Sequence, residues 1–131
     1  MMHIETLTQS ELNSLKAILE RGEKTEFQMY PEYRTTFWFK DNQNAELRII
    51  CGLDRITVSR ICLNNKRHGT MTQILNKLNN ICTRHHWKTI VIQSVLTSEM
   101  ENWCHKNGFL PDEYCSIQTE EGIRGDFLKE I

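Results

Sequence analysis

Apolar positions in the first half of the chain predict one helix followed by strands. Thr8 and Glu11 have the spacing of a capping box, and apolar residues then recur at helical spacing up to Gly22, where we expect the helix to stop. The preceding HIETLT is expected to form a short first strand, and EKTEFQMYPEYR, which has no clear period, is expected to be a loop. TTFWFK and AELRIICGL flank the turn composition DNQN, which predicts a hairpin.

The next predicted strand, RITVSRICL, contains a shift in its pattern. Ile56 and Val58 share one face, whereas Ile61 and Leu63 fall on the other. A β-bulge near Arg60 would produce such a one-residue slip, and a strand buried on both faces would produce the same pattern.

The second half of the chain predicts a crossover followed by a hairpin. A helix is expected over about residues 70–86, and KTIVIQSVL reads as a buried strand, so strand, helix and strand predict a right-handed βαβ unit with parallel strands. The apolar stripe of this helix consists of Ile74, Leu75, Leu78, Ile81 and Cys82.

A further helix, TSEMENWCHKNG, is predicted to start at a Thr97 or Ser98 cap and to end at Gly108. Its inward stripe consists of Met100, Trp103 and Cys104. EYCSIQ and DFLKEI, on either side of EEGIRG, predict a closing antiparallel hairpin. The predicted fold class is therefore α+β.

Composition limits the class of protein. The 131 residues contain no repeat or linker, which predicts a single domain over residues 1–131. A net charge of −1 argues against a nucleic-acid partner, and no apolar run reaches the ~20 residues that cross a bilayer. The five cysteines include no C-x-x-C pair, which predicts no metal site. Because their number is odd, at least one thiol is expected to be free. A free thiol and the absence of a signal peptide together favour the cytoplasm.

A basic turn separates the bulged strand from the helix after it. Lys66, Arg67 and His68 precede Gly69, at the point where helical N–H groups are unpaired and the helix dipole is positive. A glycine at such a position allows close approach of an anion, so the turn is a candidate phosphate site. A solvated surface turn with ordinary charge is the alternative.

Two motifs resemble the GNAT (N-acetyltransferase) superfamily over about residues 45–131. KRHGTMTQIL is similar to the R/Q-x-x-G-x-G/A signature, with Lys66 at the first position, Gly69 at the first glycine and Met71 in place of the second small residue. WCHKNGF resembles the FYEKLGF that closes the last conserved helix of the family. The resemblance implies a GNAT-like fold: an antiparallel meander, a βαβ crossover with splayed parallel strands, and a closing antiparallel hairpin.

The resemblance also implies an activity, the direct transfer of the acetyl group of acetyl-CoA to an amine. The residues implied for acetyl-CoA are Ile61, Cys62 and Leu63 at the pantetheine, Lys66, Arg67, His68, Gly69, Thr70 and Met71 at the pyrophosphate, and Lys106 near the phosphates. The acceptor implied is a protein lysine, a protein N-terminus or a small molecule.

The catalytic groups depart from the family pattern. Cys104 stands where the family commonly has a Tyr that protonates the leaving thiolate, so Cys104 is the candidate acid, and a small buried thiol is the alternative. RITVSRICL lacks the Glu that often serves as base, and Glu99, Glu101 and Asp112 are most simply surface charges. A catalytically silent GNAT-fold protein that binds CoA or a partner protein is therefore the alternative function, and an unrelated phosphate-contacting α+β module is a third.

Other residues allow two interpretations each. His86, near a helix C-terminus, is interpreted as a complement to the helix dipole. The aromatic residues before and within the second strand are either acceptor-pocket residues or core; they are Tyr30, Tyr33, Phe37 and Trp38. The oligomeric state is left open between a monomer and a homodimer.

Overall fold

The computed structural model describes residues 4–65 and 69–131. The predictions for Lys66, Arg67 and His68 therefore lie outside the described residues. The helices are α1 (Gln9–Glu23), α2 (Thr70–His85) and α3 (Ser98–Lys106). The strands are β1 (Gln28–Glu32), β2 (Thr36–Lys40), β3 (Glu46–Cys51), β4 (Arg55–Cys62), β5 (Thr89–Val95), β6 (Leu110–Thr119) and β7 (Gly122–Glu130).

The seven strands form one mixed sheet in the order β1-β2-β3-β4-β5-β7-β6. Only the β4–β5 pair is parallel, and α2 connects these two strands, as the sequence predicts. Helices α1 and α2 pack together, and α3 packs against β7. The core combines sheet residues with the predicted stripe of α2, which is buried along its length. The α+β class, the meander, the crossover and the closing hairpin are confirmed.

A bulge in β4 ends its pairing with β5. Arg48 pairs with Arg60 while the next residue of β3, Ile49, pairs with Val58, so Ser59 is an extra residue on β4. The parallel pairing with β5 covers only the four residues from Arg55 to Val58. Beyond the bulge the two strands separate, which confirms both the predicted bulge and the predicted splay.

Two predictions near the N-terminus are wrong. The aperiodic segment expected to be a loop contains β1, which pairs with β2 at the edge of the sheet. An edge strand with mostly exposed side chains has no need for alternation, so its sequence carries no strand period. Residues 4–8, expected to be part of a strand, are extended coil that leads Leu7 into the core and Thr8 into the predicted capping box.

The predicted stop of α1 at Gly22 is also wrong. The helix continues to Glu23, and Lys24 closes it in the left-handed region at φ 58°. Gly22 is instead a point of close approach, because a Cβ atom there would overlap the Thr70 side chain. The last turn of α1 therefore lies against the start of α2.

A buried ion pair joins the other ends of the same two helices. His85 Nε2 lies 2.8 Å from Glu11 Oε1, and His85 Nδ1 lies 2.7 Å from Glu5 Oε1. Glu11 is fully buried and also accepts a hydrogen bond from the Thr8 backbone N–H. His86, predicted to complement the helix dipole, is the exposed left-handed C-cap residue, and the buried His85 makes the carboxylate contacts.

The pair shifts both pKa values in the direction that favours the charged forms. Burial alone raises the pKa of Glu11, but hydrogen bonds from Thr8 and His85 outweigh it and hold that pKa below the ordinary 4.5. Burial lowers the pKa of His85, but the hydrogen bonds to Glu5 and Glu11 outweigh it and raise that pKa above 6.5.

We expect Gly22→Ala to destabilise the protein by about 1–3 kcal/mol, because the new methyl group overlaps the Thr70 side chain. The same substitution in an open helix interior stabilises by about 1 kcal/mol. Urea unfolding measures the difference in the free energy of unfolding between the variant and the wild type. Thr70→Ala should partly relieve the loss, and a stabilised Gly22→Ala variant would contradict the contact.

We expect His85→Gln to cost about 3 kcal/mol of the free energy of unfolding, because it removes the imidazolium from the buried Glu11 carboxylate and leaves Arg84, at a longer 3.4 Å, as its cation. The Glu11 contribution is present above pH 4.5 and is lost as the pH falls. The His85 contribution is present below pH 6.5 and is lost as the pH rises through the raised pKa. The difference between wild type and variant should therefore be largest between these two pH values.

Denaturant unfolding across this pH range measures the effect. His105→Gln is the matched control, because His105 pairs with Glu101 but is itself exposed, so solvent screens the pair and it should contribute less than the His85 pair. A pH-independent difference for His85→Gln would show that the charge of the pair is not what stabilises it.

Candidate functional site

A cavity of about 470 Å³ opens where β4 leaves β5. One wall is the end of β4 and the following turn, with Ile61, Cys62, Leu63 and Asn65. A second wall is the start of α2, with Gly69, Thr70, Met71 and Thr72. The third wall is α3 and the residue before it, with Thr97, Glu99, Met100 and Trp103.

The structure brings six of the predicted acetyl-CoA residues to this cavity. Three come from the strand end (Ile61, Cys62 and Leu63) and three from the helix start (Gly69, Thr70 and Met71). The bulge places them there, because it frees the end of β4 from β5 and leaves the cavity between that end and the two helices. Their ligand contacts stay predictions.

The start of α2 has the electrostatic features of an anion site. Gly69 is the N-cap in the left-handed region, φ 73°, and makes no side-chain cap hydrogen bond. The first turn contains no acidic residue, so no carboxylate within that turn offsets the positive end of the helix dipole. The N–H groups of the first turn have no partner within the helix and remain available to a ligand.

Trp103 joins the two helical walls. Its Nε1–H donates to Thr72 Oγ1 over 3.3 Å, from α3 to α2, and its ring packs 5.7 Å from that of Phe109. Thr97 caps α3 by accepting a hydrogen bond from the Met100 backbone N–H. The indole therefore sets the distance between α2 and α3 at the cavity.

Cys104, the candidate acid, lies in the core. It is fully buried and is absent from the described cavity wall. Burial, with a smaller effect of the Glu101 carboxylate, raises the pKa of the thiol to about 12. These properties match the buried-thiol alternative, and proton donation by Cys104 stays a prediction. Lys106 is exposed on α3 and is also absent from the described wall.

The three carboxylates near this region have different surroundings. Glu99 lies on the cavity wall. Glu101 is anchored to β7, where it accepts hydrogen bonds from the Ile123 N–H and from Arg124, and its hydrogen bond with His105 lowers its pKa. Asp112 accepts from a backbone N–H within β6. Glu99 is therefore the carboxylate with access to the cavity.

Six wall residues were not predicted as site residues: Asn65, Thr72, Met100, Trp103, Thr97 and Glu99. The sequence did contain a signal for Thr97 and Glu99. The start of α3 follows β5 directly, so it must lie at the end of β5 that separates from β4. Thr97 and Glu99 consequently lie at the opening.

The aromatic residues before and within β2 lie in different environments. Tyr33 is 88% exposed and Phe37 is buried. Trp38 is half-buried between two cations, with Lys40 Nζ 4.5 Å and Arg48 Cζ 5.1 Å from the ring centroid. None of the aromatic group, Tyr30 included, belongs to the described cavity wall, and its role as an acceptor pocket stays a prediction.

Comparison with known proteins shows that this chain is similar in structure to several acetyltransferases. No family model matches the sequence, and no curated protein matches it. The ribosomal-protein-S18-alanine N-acetyltransferase from Escherichia coli aligns at TM-score 0.54 and 15% identity, over 98% of this chain and 93% of that one. An acetyltransferase from Bacillus cereus aligns at TM-score 0.53 and 14% identity, over 99% and 98%.

A third structure, the PaiA N-acetyltransferase from Thermoplasma acidophilum in complex with coenzyme A, aligns at TM-score 0.51 and 11% identity. That alignment covers 73% of this chain and 60% of the other. At such identities the likeness concerns the fold, and this chain has the fold that these N-acetyltransferases share.

We expect iodoacetamide at pH 8 to modify Cys62 and Cys115, which are exposed, and to modify the buried Cys51, Cys82 and Cys104 more than about 100-fold more slowly. Burial raises the pKa of the three buried thiols to about 11, 12 and 12 respectively, so few thiolates form. Peptide mapping by mass spectrometry after timed quenching gives the rates. Modification of Cys104 at the rate of Cys62 would place its thiol at the surface.

Proposed function

We propose that this chain, which has the fold of the GNAT N-acetyltransferases, binds acetyl-CoA in the cavity beside β4 and transfers the acetyl group to an amine. The observation that carries the proposal is the cavity at the splay. It combines an open strand edge with an uncapped helix start, and six residues implied by sequence resemblance line it.

The open edge of β4 suits the pantetheine arm. Beyond Val58, the side of β4 that faces β5 has no strand partner, while the other side stays paired with β3 up to Cys62. An extended ligand with amide groups satisfies such an edge as a strand would. Ile61 and Leu63 are packed against the core and supply the apolar part of the wall.

The start of α2 suits the pyrophosphate. The N–H groups of its first turn and the helix dipole favour an anion, and Gly69 adds no side chain between backbone and ligand. The basic residues that precede Gly69 in the sequence would add charge of the same sign.

The reaction requires little from ionisable side chains. The nitrogen of a neutral amine attacks the thioester carbonyl carbon and the C–N bond forms. The C–S bond breaks, the electron pair leaves with sulfur, and the nitrogen releases a proton to water as it becomes the amide. N–H groups on the open edge of β4 would stabilise the oxyanion. A thiol has a pKa of ~8.5, so the leaving thiolate takes a proton from water near neutral pH without a dedicated acid.

The proposed acceptor is an amine, on a protein lysine, a protein N-terminus or a small molecule. We propose that the protein is cytoplasmic and is a monomer or a homodimer. Five free cysteines support a reducing compartment. Within the described part of the chain, no helix has the length and apolar character to span a bilayer.

The catalytically silent alternative, a protein of this fold that binds CoA or a partner protein, has one observation in its favour. On the described cavity wall, Glu99 is the only carboxylate and no tyrosine is present. Release of free thiol from acetyl-CoA in the presence of mixed amine acceptors separates the two functions. Binding without release supports the silent protein, and amine-dependent release supports the enzyme.

We expect acetyl-CoA to protect Cys62 from iodoacetamide and to leave Cys115 unaffected, because only Cys62 lines the cavity. Calorimetry should show binding under the same conditions. If millimolar acetyl-CoA neither binds nor protects, both the enzyme and the CoA-binding alternative fail.

We expect Gly69→Trp to abolish this protection. A Cβ at Gly69 meets no atom within 4 Å, so the indole would extend into open space beside the cavity. Gly69→Asn is the control, since Asn tolerates the left-handed backbone at φ 73° and is smaller. Equal affinity for acetyl-CoA in the Trp variant and the wild type would contradict the placement of the pyrophosphate.

A further inference from the structure

The last turn of α1 holds the turn that connects β4 to α2. Glu23 is 7% exposed, and its carboxylate accepts hydrogen bonds from the backbone N–H groups of Asn64, at 2.5 Å, and Asn65, at 2.7 Å. Asn65 Nδ2 donates in return to the Gly22 carbonyl oxygen over 3.2 Å. Three hydrogen bonds therefore connect two consecutive residues of α1 to two consecutive residues of the turn.

The same helix end also contacts the start of α2. Gly22 lies so close to Thr70 that a Cβ atom would overlap the threonine side chain. Asn65 and Thr70 belong to the described cavity wall, whereas Gly22 and Glu23 do not. The end of α1 therefore supports this part of the wall from behind, without contact with the cavity.

We propose that Glu23 is a positioning residue for acetyl-CoA: it holds Asn64 and Asn65 against the end of α1, which also contacts the start of α2, and so prepares this part of the wall for the phosphate end of the ligand. The inference rests on the function proposed above. Both oxygens of Glu23 are occupied by N–H groups, so the carboxylate acts through the backbone and does not contact the ligand.

The physical reason is preorganisation. Two part-buried N–H groups that lose their acceptor cost free energy, so Asn64 and Asn65 would rearrange to find water or another acceptor if the carboxylate were lost. A turn that must be ordered again on binding lowers affinity.

Loss of Glu23 should affect ligand binding at one end of the cavity. Ile61 and Cys62 are held by their pairing with Leu47 and Glu46 of β3, which does not involve α1. Loss of Glu23 should therefore weaken a ligand that has phosphates and spare one that has only the pantetheine arm.

The test compares Glu23→Gln with Glu20→Gln. Glu20 lies on the same helix, and its carboxylate accepts a hydrogen bond from the Phe27 backbone N–H over 3.0 Å, but neither residue lies on the described cavity wall. The readout is the concentration of acetyl-CoA, or of S-acetylpantetheine, that halves the rate of Cys62 alkylation.

We expect Glu23→Gln to raise the half-protecting concentration of acetyl-CoA about tenfold, the equivalent of one charge-assisted hydrogen bond, and to change that of S-acetylpantetheine less than about twofold. Glu20→Gln should change neither. Unchanged protection by acetyl-CoA overturns the inference. An equal loss for both ligands also overturns it, because that result indicates general damage to the cavity.

Amide hydrogen exchange tests the contact without a ligand. The Asn64 and Asn65 amides should exchange faster in Glu23→Gln than in Glu20→Gln or the wild type, and equal rates overturn the inference. Failure of acetyl-CoA to protect the wild type overturns the proposed function and the ligand role with it, whatever the exchange rates. If Glu23→Gln does not fold, Glu23→Asp, which keeps the charge but is one methylene shorter, replaces it. The same differences from Glu20→Gln and the wild type are then expected in protection and in amide exchange.

Discussion

The bulge at Ser59 is the constraint on which the rest of the molecule depends. One extra residue in β4 ends the parallel pairing with β5 after Val58, although both strands continue. The sheet therefore opens at one end, while the antiparallel pairs on either side of the gap, β3–β4 and β5–β7, continue beyond it, each with a shift in register. Every wall of the cavity follows from this gap: the free end of β4, the start of the helix that follows it, and the start of the helix that follows β5.

Helix α1 fixes the crossover helix at both ends through buried carboxylates. Glu11, in the first turn of α1, binds His85 in the last turn of α2, and Glu23, in the last turn of α1, binds the turn before α2. Each carboxylate has its partners in place, which is the condition for keeping a charge in a protein interior. The position of α2 is thus defined at the end that closes the core and at the end that faces the cavity.

The two ends of the cavity would hold different parts of the proposed ligand, acetyl-CoA. The strand wall is held by β3 and offers backbone groups for an extended arm, whereas the helix wall is held by α1 and offers a positive helix end for phosphates. A single binding cavity therefore has two independent supports. Cys104, which the family resemblance implies as the candidate acid, belongs to neither described wall and packs in the core, as the buried-thiol alternative predicts.

The sequence by itself determined the local features: the capping box of Thr8 and Glu11, the amphipathic stripe of α2, the bulge in β4 and the order of strand, helix and strand. These depend on residues close together in the chain, so period and spacing report them. The edge strand β1, the role of Gly22, the pairing of His85 with Glu11 and the orientation of Cys104 were decided by the tertiary structure. Glu11 and His85 are 74 residues apart in the chain, and Gly22 is constrained by a side chain of another helix. No local pattern records such contacts, because they exist only when packing brings distant elements together.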